Sequence, residues 1–192
     1  MLRDRDFSRV VVVGTSCSGK STLARRLAET LAAPHVQLDL IHWRPGWKPA
    51  PEAEFRERVE EAVRAECWIV DGNYRRVRDL VWARATTAVW LHVSLPVALA
   101  RATTRGIRRS VEGADVFPGC RETLARTFLS HDSLLVWILT SHGRRNRELT
   151  ALRASGQFPA VSWVEIRRRP EQEELLEEVA RWRVVAGSGA GV

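Results

Sequence analysis

The sequence has few cysteines and no long apolar run, and each shortage excludes a class of protein. Its three cysteines, Cys17, Cys67 and Cys120, lie far apart among 192 residues, so they fit neither a disulfide framework nor a paired-cysteine metal site. No apolar run approaches the roughly 18 residues of a membrane span, and the first residues, MLRDRDFSR, lack the apolar centre of a signal peptide. We therefore expect a protein of the reducing cytoplasm.

Lysine is also scarce, although the chain is basic overall. Lys+Arg total 30 against 23 for Asp+Glu, which gives a formal net charge of +7, and Lys20 and Lys48 are the only lysines. A basic excess is compatible with nucleic acid, with anionic substrates or with an arginine-rich genome. The scarcity of lysine draws attention to Lys20, which lies in a glycine-rich turn.

That turn predicts a phosphate-binding loop. The residues are Gly14, Thr15, Ser16, Cys17, Ser18, Gly19, Lys20 and Ser21, followed by Thr22. They match G-x-x-x-x-G-K-[ST] between a valine run and a helical pattern, which is the required context. In such a loop the lysine reaches the β- and γ-phosphates and the Ser21 hydroxyl is placed to ligate Mg²⁺. We expect residues 14–22 to bind ATP with Mg²⁺, and the alternative is a chance glycine-rich turn.

Strand and helix patterns alternate along the chain, which predicts an α/β fold. The strand candidates are residues 10–13, 35–39, a third ending at 71–72, 87–93 and 160–166. Helical patterns follow Ser21, Pro51, Pro96 and Pro170, and two arginine-rich helices are predicted over about 121–139 and 143–154. Five short strands separated by helices indicate a parallel sheet covered on both faces. We expect one domain over residues 1–185 and a flexible tail over 186–192.

Two aspartates stand at the predicted ends of strands, where parallel sheets bind ligands. Asp39 and Asp71 can each support Mg²⁺ directly or through water, and Asp39 can also orient a substrate hydroxyl or accept its proton. Alternatively, either aspartate caps a turn or helix. Trp43 and Trp47 follow in a Pro- and Gly-broken loop, where they form either an acceptor pocket or a minor core. His42 is a candidate polar contact to the substrate.

A run of arginines after the fourth strand predicts a short mobile lid over about residues 104–121. We expect Gly106 to break the helix there, because the following stretch, SVEGADVFPGCRE, lacks helical periodicity. Arg101 and Arg105 are candidate phosphate contacts that stabilise charge during transfer. The alternative is a solvated helix face. Later arginines offer contacts that spacing does not rank, namely Arg121, Arg126, Arg144, Arg145 and Arg147.

Four stretches together resemble adenylate-kinase-like P-loop proteins, in particular the branch commonly labelled topology modulation proteins. They are VVVGTSCSGKSTLARRLAE, LDLIHWRPGW, CWIVDGNYRR and the arginine-rich stretch after VWLHVSLPVALAR. The resemblance covers roughly residues 8–180. It implies a three-layer P-loop NTPase fold like that of adenylate and shikimate kinases, with an arginine-rich lid and with ATP and Mg²⁺ as cofactors.

The resemblance also suggests roles at the end of the third strand. In adenylate kinases this strand ends in D-G-F-P-R, whose Asp supports Mg²⁺ and whose Arg holds substrate phosphate. Asp71, Gly72 and Arg75 match that motif, whereas Asn73 and Tyr74 depart from it. The departure weakens the case for AMP as the acceptor. The R-x-x-x-R of the family lid is reproduced at positions 101 and 105.

These features favour a phosphotransferase that moves the γ-phosphoryl group of ATP to a small-molecule or nucleotide acceptor. The catalytic candidates are Lys20, Asp39, Arg101 and Arg105, the metal candidates are Ser21 and Asp71, and the acceptor-binding candidates are Asp39, His42, Trp43, Asp71, Gly72 and Arg75. The N-K-x-D motif of a GTPase is absent. The alternative, which the net charge of +7 keeps open, is an ATP-dependent nucleic-acid-associated or regulatory protein. The acceptor and the oligomeric state stay open.

Overall fold

A parallel sheet of five strands lies at the centre of the protein, whose computed structural model describes residues 5–113, 115–121 and 133–188. In spatial order the strands are β2 (His35–Gln37), β5 (Trp68–Asp71), β1 (Arg9–Gly14), β6 (Thr87–Leu91) and β9 (Ser162–Ile166). Every neighbouring pair is parallel. The α/β class and the five-stranded parallel sheet predicted from the sequence are confirmed.

Helices connect the strands, and two small hairpins lie outside the sheet. In the described residues the helices are α1 (Lys20–Leu31), α2 (Leu38–His42), α3 (Glu52–Ala62), α4 (Arg78–Trp82), α5 (Leu95–Glu112), α6 (Leu134–Ala154) and α7 (Arg169–Ser188). The first hairpin pairs β3 (Trp43–Arg44) with β4 (Lys48–Pro49), and the second pairs β7 (Asp115–Phe117) with β8 (Cys120–Arg121). A 3₁₀ turn, Arg75–Val77, precedes α4. None of the described helices is long and apolar enough to span a bilayer.

The sheet separates two apolar cores, which explains the continuous valine run of β1. Val10 and Val12 pack on one face with Leu27 of α1 and residues of α7, whereas Val11 and Val13 pack on the other. That second face includes α3, α4 and the C-terminal half of α6. A strand covered on both faces has no polar side, so its side chains do not alternate in polarity. The fold therefore has three layers.

A third, smaller cluster holds α5 and α6 beside the loop that follows β1. Ala98, Ala102 and Ile138 are buried there, and Cys17 of the loop is packed against them. Gly106 continues the spacing of the two alanines and is also buried. Consequently, α5 approaches the loop through small side chains.

The structure corrects several predicted boundaries of secondary structure. Gly106 does not break α5, because a helix tolerates a glycine at a cost of about 0.5–1 kcal/mol when packing compensates. The helices predicted over 121–139 and 143–154 are instead one helix from residue 134 to 154, while residues 122–132 lie outside the described residues. Helix α7 extends to Ser188, into the predicted tail, and residues 189–192 lie outside the described residues. Strand β2 ends at Gln37, so Asp39 lies in α2.

Candidate functional site

The loop between β1 and α1 has the backbone geometry of an anion cradle. Gly14 has a φ of 155°, and a Cβ at this position would lie 2.7 Å from the Leu91 carbonyl oxygen. Gly19, with a φ of 97°, precedes α1, which begins at Lys20 and has no side-chain cap at its N-terminus. The free N–H groups at a helix start attract negative charge. The sequence pattern for phosphate binding therefore coincides with suitable geometry.

Buried hydroxyl groups in the loop lack hydrogen-bond partners. Thr15 Oγ1 and Ser18 Oγ are both buried and unpartnered among the described residues. The Ser18 hydroxyl lies 2.8 Å from where a Cβ on Gly14 would be. Buried polar groups in native proteins are almost always satisfied, and a bound phosphate would supply the acceptor that these hydroxyls lack. The loop residues thus fit a nucleotide phosphate.

Asp71 ends β5 immediately beside β1, where it pairs in register with Val12. It is 6% exposed. Burial raises the pKa of its carboxyl group, whereas the Lys20 ammonium and a hydrogen bond from the Ser21 hydroxyl act in the opposite direction. Asp71 Oδ1 has no hydrogen-bond partner in the described part of the chain. This donor set, a carboxylate beside a serine hydroxyl, suits Mg²⁺ accompanying a nucleotide.

Asp39 is held next to the same strand end because the Gly72 backbone approaches the side chain of the neighbouring Leu38 closely. Gly72 has a φ of 124°, and a Cβ there would lie 3.3 Å from the Leu38 Cβ. Asp39 follows Leu38 in the chain, and its Oδ1 accepts a hydrogen bond from the Tyr74 hydroxyl at 2.5 Å. Its charge also contributes, after burial, to raising the pKa of Asp71. The structure therefore brings together the two aspartates that the sequence singled out.

His42 lies inside an aromatic cluster rather than on the surface. Its ring centroid is 4.7 Å from that of Trp43, 5.2 Å from that of Phe55 and 4.7 Å from that of Tyr74. It is 8% exposed, and burial lowers its pKa, which favours the neutral ring. Nδ1 is buried without a hydrogen-bond partner among the described residues.

The two small hairpins dock onto each other, which the sequence did not predict. The Gly46 N–H donates to the Gly119 carbonyl at 2.9 Å, and the Trp47 indole N–H donates to the Arg121 carbonyl at 2.9 Å. The Trp47 ring also packs edge-on against Phe117 at 5.8 Å, and Trp43 lies 5.7 Å from Trp47. We call these interactions the hairpin contact. It links the tryptophan loop next to Asp39 to the segment predicted as a lid.

The candidate arginines lie in different environments. Arg101 donates to the backbone carbonyls of Cys17 and Ser18 at 3.3 and 3.1 Å, so it contacts the phosphate loop itself. Arg105 lies one turn further along α5, and its Nε is buried without a partner in the described residues. Arg75, by contrast, is 70% exposed and pairs with Glu148 of α6 at 2.8 Å. Its role in acceptor binding stays a prediction.

Two of the later arginines lie over an aromatic ring. The guanidinium carbons of Arg144 and Arg145 are 5.9 and 5.4 Å from the centre of the Trp137 ring. Arg121 pairs with Asp115 at 3.3 Å, and Arg126 lies outside the described residues. The spacing of these arginines in the sequence does not indicate which of them contact a ligand.

Solved structures of kinases share this architecture. The chain matches a gluconokinase from Sinorhizobium meliloti 1021 with a TM-score of 0.52 and 18% identity, covering 97% of each chain. It matches a sugar kinase from Janibacter sp. HTCC2649 with a TM-score of 0.54 and 18% identity, covering 95% of this chain and 98% of that one. The chain has a P-loop kinase fold. No protein-family profile and no curated protein matches the sequence, so the resemblance to the topology modulation branch stays a prediction.

Proposed function

We propose that the protein is a phosphotransferase that transfers the γ-phosphoryl group of ATP to a small-molecule or nucleotide acceptor. One observation carries the proposal: a complete phosphate-loop sequence lies at the carboxyl end of the central strand, where the Lys20 ammonium and a hydrogen bond from Ser21 both oppose the rise in the pKa of the buried Asp71 carboxyl group. Phosphoryl transfer depends mainly on positioning and charge stabilisation. An arrangement of one ammonium, one hydroxyl and one carboxylate next to an open helix start suits that chemistry.

The nucleotide side of the site consists of residues 14–22 and Asp71. Backbone N–H groups of the loop and the hydroxyls of Thr15 and Ser18 would hold the phosphates, and Lys20 would pair with the β- and γ-phosphates. Ser21 and Asp71 would hold Mg²⁺, which supplies charge neutralisation between the phosphates when it is bound. No cluster of three or more His, Cys, Asp or Glu suited to a metal ion occurs among the described residues.

The acceptor side consists of Asp39 and the aromatic loop beside it. In this proposal Asp39 orients the acceptor hydroxyl and accepts its proton as the phosphoryl group arrives. Trp43, half-buried next to His42, offers an apolar ring surface for a sugar-like or flat molecule. The named substrates of the matched structures, gluconate and sugar, carry hydroxyl groups, so hydroxyl-bearing small molecules are the first acceptors to test.

Two arginines of α5 would stabilise the charge that develops during transfer. Arg101 already reaches the phosphate loop through its contacts with the carbonyls of Cys17 and Ser18. Arg105 has a buried Nε without a partner among the described residues. A well-placed arginine supplies about 10³- to 10⁵-fold in rate to enzymes of this chemistry.

A lysine variant tests the nucleotide site, and the other lysine of the chain provides the control. Lys20→Ala should abolish ATP·Mg²⁺ binding measured by calorimetry, because it removes the charge aimed at the phosphates. Lys48→Ala removes the same charge from an exposed hairpin residue and should leave ATP binding unchanged. Unchanged binding in Lys20→Ala would exclude the assignment of the loop.

The acceptor is then sought by measuring ADP release. The screen covers sugars, sugar acids, nucleosides and nucleoside monophosphates, with parent protein and Lys20→Ala in parallel. Release that depends on both the added compound and Lys20 identifies an acceptor. ATP binding without acceptor-dependent release would leave a nucleotide-binding protein and reject the phosphotransferase.

The second candidate function is that of an ATP-dependent nucleic-acid-associated protein, which the net charge of +7 favours. Electrostatic binding to DNA alone would have a Kd of about 10⁻⁴ to 10⁻⁶ M at physiological salt. Tight DNA binding stimulated by ATP and lost in Arg105→Ala, together with no acceptor-dependent ADP release, would favour this second function. Arg105→Ala should otherwise lower phosphoryl transfer while leaving DNA binding weak.

A further inference from the structure

The contact between Tyr74 and Asp39 joins two residues that are distant in sequence. The Tyr74 hydroxyl lies 2.5 Å from Asp39 Oδ1, a short distance for a hydrogen bond from a phenol to a carboxylate. Tyr74 is the only tyrosine of the chain. It stands between the end of β5 and the 3₁₀ turn, where the adenylate kinase motif has a different residue.

Packing holds both partners of this hydrogen bond in place. The Tyr74 ring lies 5.4 Å from the Phe55 ring and 4.7 Å from the His42 ring, so the phenol has contacts on two sides. On the carboxylate side, the close approach of Gly72 to Leu38 holds the start of α2 against the strand end. A hydroxyl that is held by its ring can orient a carboxylate, because little rotational freedom remains to be lost.

The phenol is the donor of this hydrogen bond and the carboxylate of Asp39 is the acceptor. Burial, followed by the charge of Asp39, raises the pKa of Tyr74 well above its ordinary value. Asp71 adds to this effect, and the Arg145 guanidinium opposes it. The Tyr74 oxygen therefore keeps its proton, and the hydrogen bond does not change direction.

This geometry has a consequence for the proposed acceptor site, and the inference rests on that proposed function. We propose that Tyr74 is a positioning residue whose hydroxyl holds Asp39 Oδ1 and leaves Oδ2 to receive the hydrogen bond of the acceptor hydroxyl. Tyr74 itself transfers no proton and touches no reacting atom. During transfer the acceptor oxygen bonds to the γ-phosphorus, ADP leaves, and the hydroxyl proton passes to Asp39.

A double-mutant cycle separates positioning from a merely structural role. Tyr74→Phe removes one oxygen and keeps the ring contacts with His42 and Phe55. With the acceptor found by ADP release, it should lower kcat about 10- to 100-fold and leave the KM for ATP unchanged, as expected for loss of a hydrogen bond to a charged group. In the Asp39→Asn background the same change should have almost no further effect, because the carboxylate it positions is gone.

A spectroscopic measurement tests this hydrogen bond without needing a known phosphoryl acceptor. In protein labelled with ¹³C-tyrosine, the phenol carbon signal reports Tyr74 alone. At neutral pH, Asp39→Leu should shift this signal, because it removes the carboxylate that accepts the phenol hydrogen bond. Asp39→Asn, whose amide oxygen still accepts from the phenol, should shift it less.

The outcomes are distinguishable. An unchanged Tyr74 signal in Asp39→Leu, or equal losses of kcat for Tyr74→Phe in both backgrounds, would overturn the positioning role while leaving the phosphotransferase intact. A screen in which no compound gives ADP release would overturn the proposed function and this inference with it. Circular dichroism and thermal unfolding of Tyr74→Phe confirm that the variant is folded.

Discussion

The hairpin contact depends on glycine at position 119. Gly119 has a φ of 69°, and a Cβ added there would lie 2.8 Å from Pro45 Cβ and 3.1 Å from Pro45 Cα. Because the second of these atoms belongs to the backbone, a rotamer change cannot relieve the overlap. Gly119→Ala should therefore separate the β7–β8 hairpin from the β3–β4 hairpin.

The magnitude follows from the interactions that would be lost. Two hydrogen bonds, Gly46 N–H to Gly119 and Trp47 Nε1–H to Arg121, contribute about 0.5–1.5 kcal/mol each. The Trp47–Phe117 ring pair contributes about 0.5–1.5 kcal/mol more. A total of about 1.5–4.5 kcal/mol corresponds to a factor of roughly 10 to 2,000 in the equilibrium between docked and separated hairpins.

Hydrogen exchange followed by NMR measures this equilibrium directly. In Gly119→Ala the Gly46 amide and the Trp47 indole proton should lose protection by that factor. Gly113→Ala is the matched control, because Gly113 has a φ of 64° and no atom within 4 Å of its added Cβ. The control carries similar backbone strain without the overlap and should keep the protection of both protons. Equal protection in the two variants would refute the reasoning.

Two further predictions concern charged groups of the site. Burial raises the pKa of Asp71 above its ordinary value of 3.8, so its ionisation destabilises the nucleotide-free fold, and this loss of stability grows as the pH rises through the folded pKa. At about pH 8, Asp71→Asn should therefore unfold at a higher temperature than the parent, and this advantage should disappear towards about pH 4. Calorimetry that finds the variant less stable than the parent at about pH 8 would contradict the prediction. Arg101→Ala should reduce acceptor-dependent ADP release at least about 100-fold with little change in ATP affinity, since its contribution belongs to the transition state. Arg108→Ala, at a 69% exposed position of the same helix, is the control, and similar losses in both variants would count against a specific role for Arg101.

The geometry of the loop between β1 and α1 was predictable because its signals are local. Gly14, Gly19 and Lys20 lie within one short motif, and the valine run before them indicates a strand buried on both faces. The position of Asp71 was also predictable from the sequence, since a parallel sheet gathers the carboxyl ends of its strands at one edge. The structure places its carboxylate beside Lys20 as that argument requires.

The surroundings of Asp39, the proposed acceptor side, were harder to predict from the sequence because their contacts join separate elements. Nothing near Asp39 in the sequence indicates that its carboxylate meets Tyr74, 35 residues away. The continuity of α5 through Gly106 also depends on a distant element, since this glycine is buried on the side that faces α6 through Ala98 and Ala102. Local glycine propensity predicted a break, and tertiary packing overrode it.

The hairpins were missed for a different reason. Strands of two or three residues are too short to show an alternation of polar and apolar side chains. The available signals were the Pro-Gly pairs at 45–46 and 118–119, which mark turns without indicating what the hairpins pack against. Sequence patterns describe an element and its exposed face, whereas the partner of that face is a property of the folded chain.

The strand order has a consequence for folding of the chain during its synthesis on the ribosome. Strand β1 and its phosphate loop are synthesised early, yet both strands that flank β1 in the sheet, β5 and β6, are synthesised much later. Pairings between distant segments form slowly, because the entropy cost of closing a long loop comes before any stabilising contact is made. The nascent chain therefore carries the valine run of β1 without a partner strand until Asp71 has emerged, and with one unpaired edge until Leu91 has emerged. That strand is the segment on which a chaperone would act.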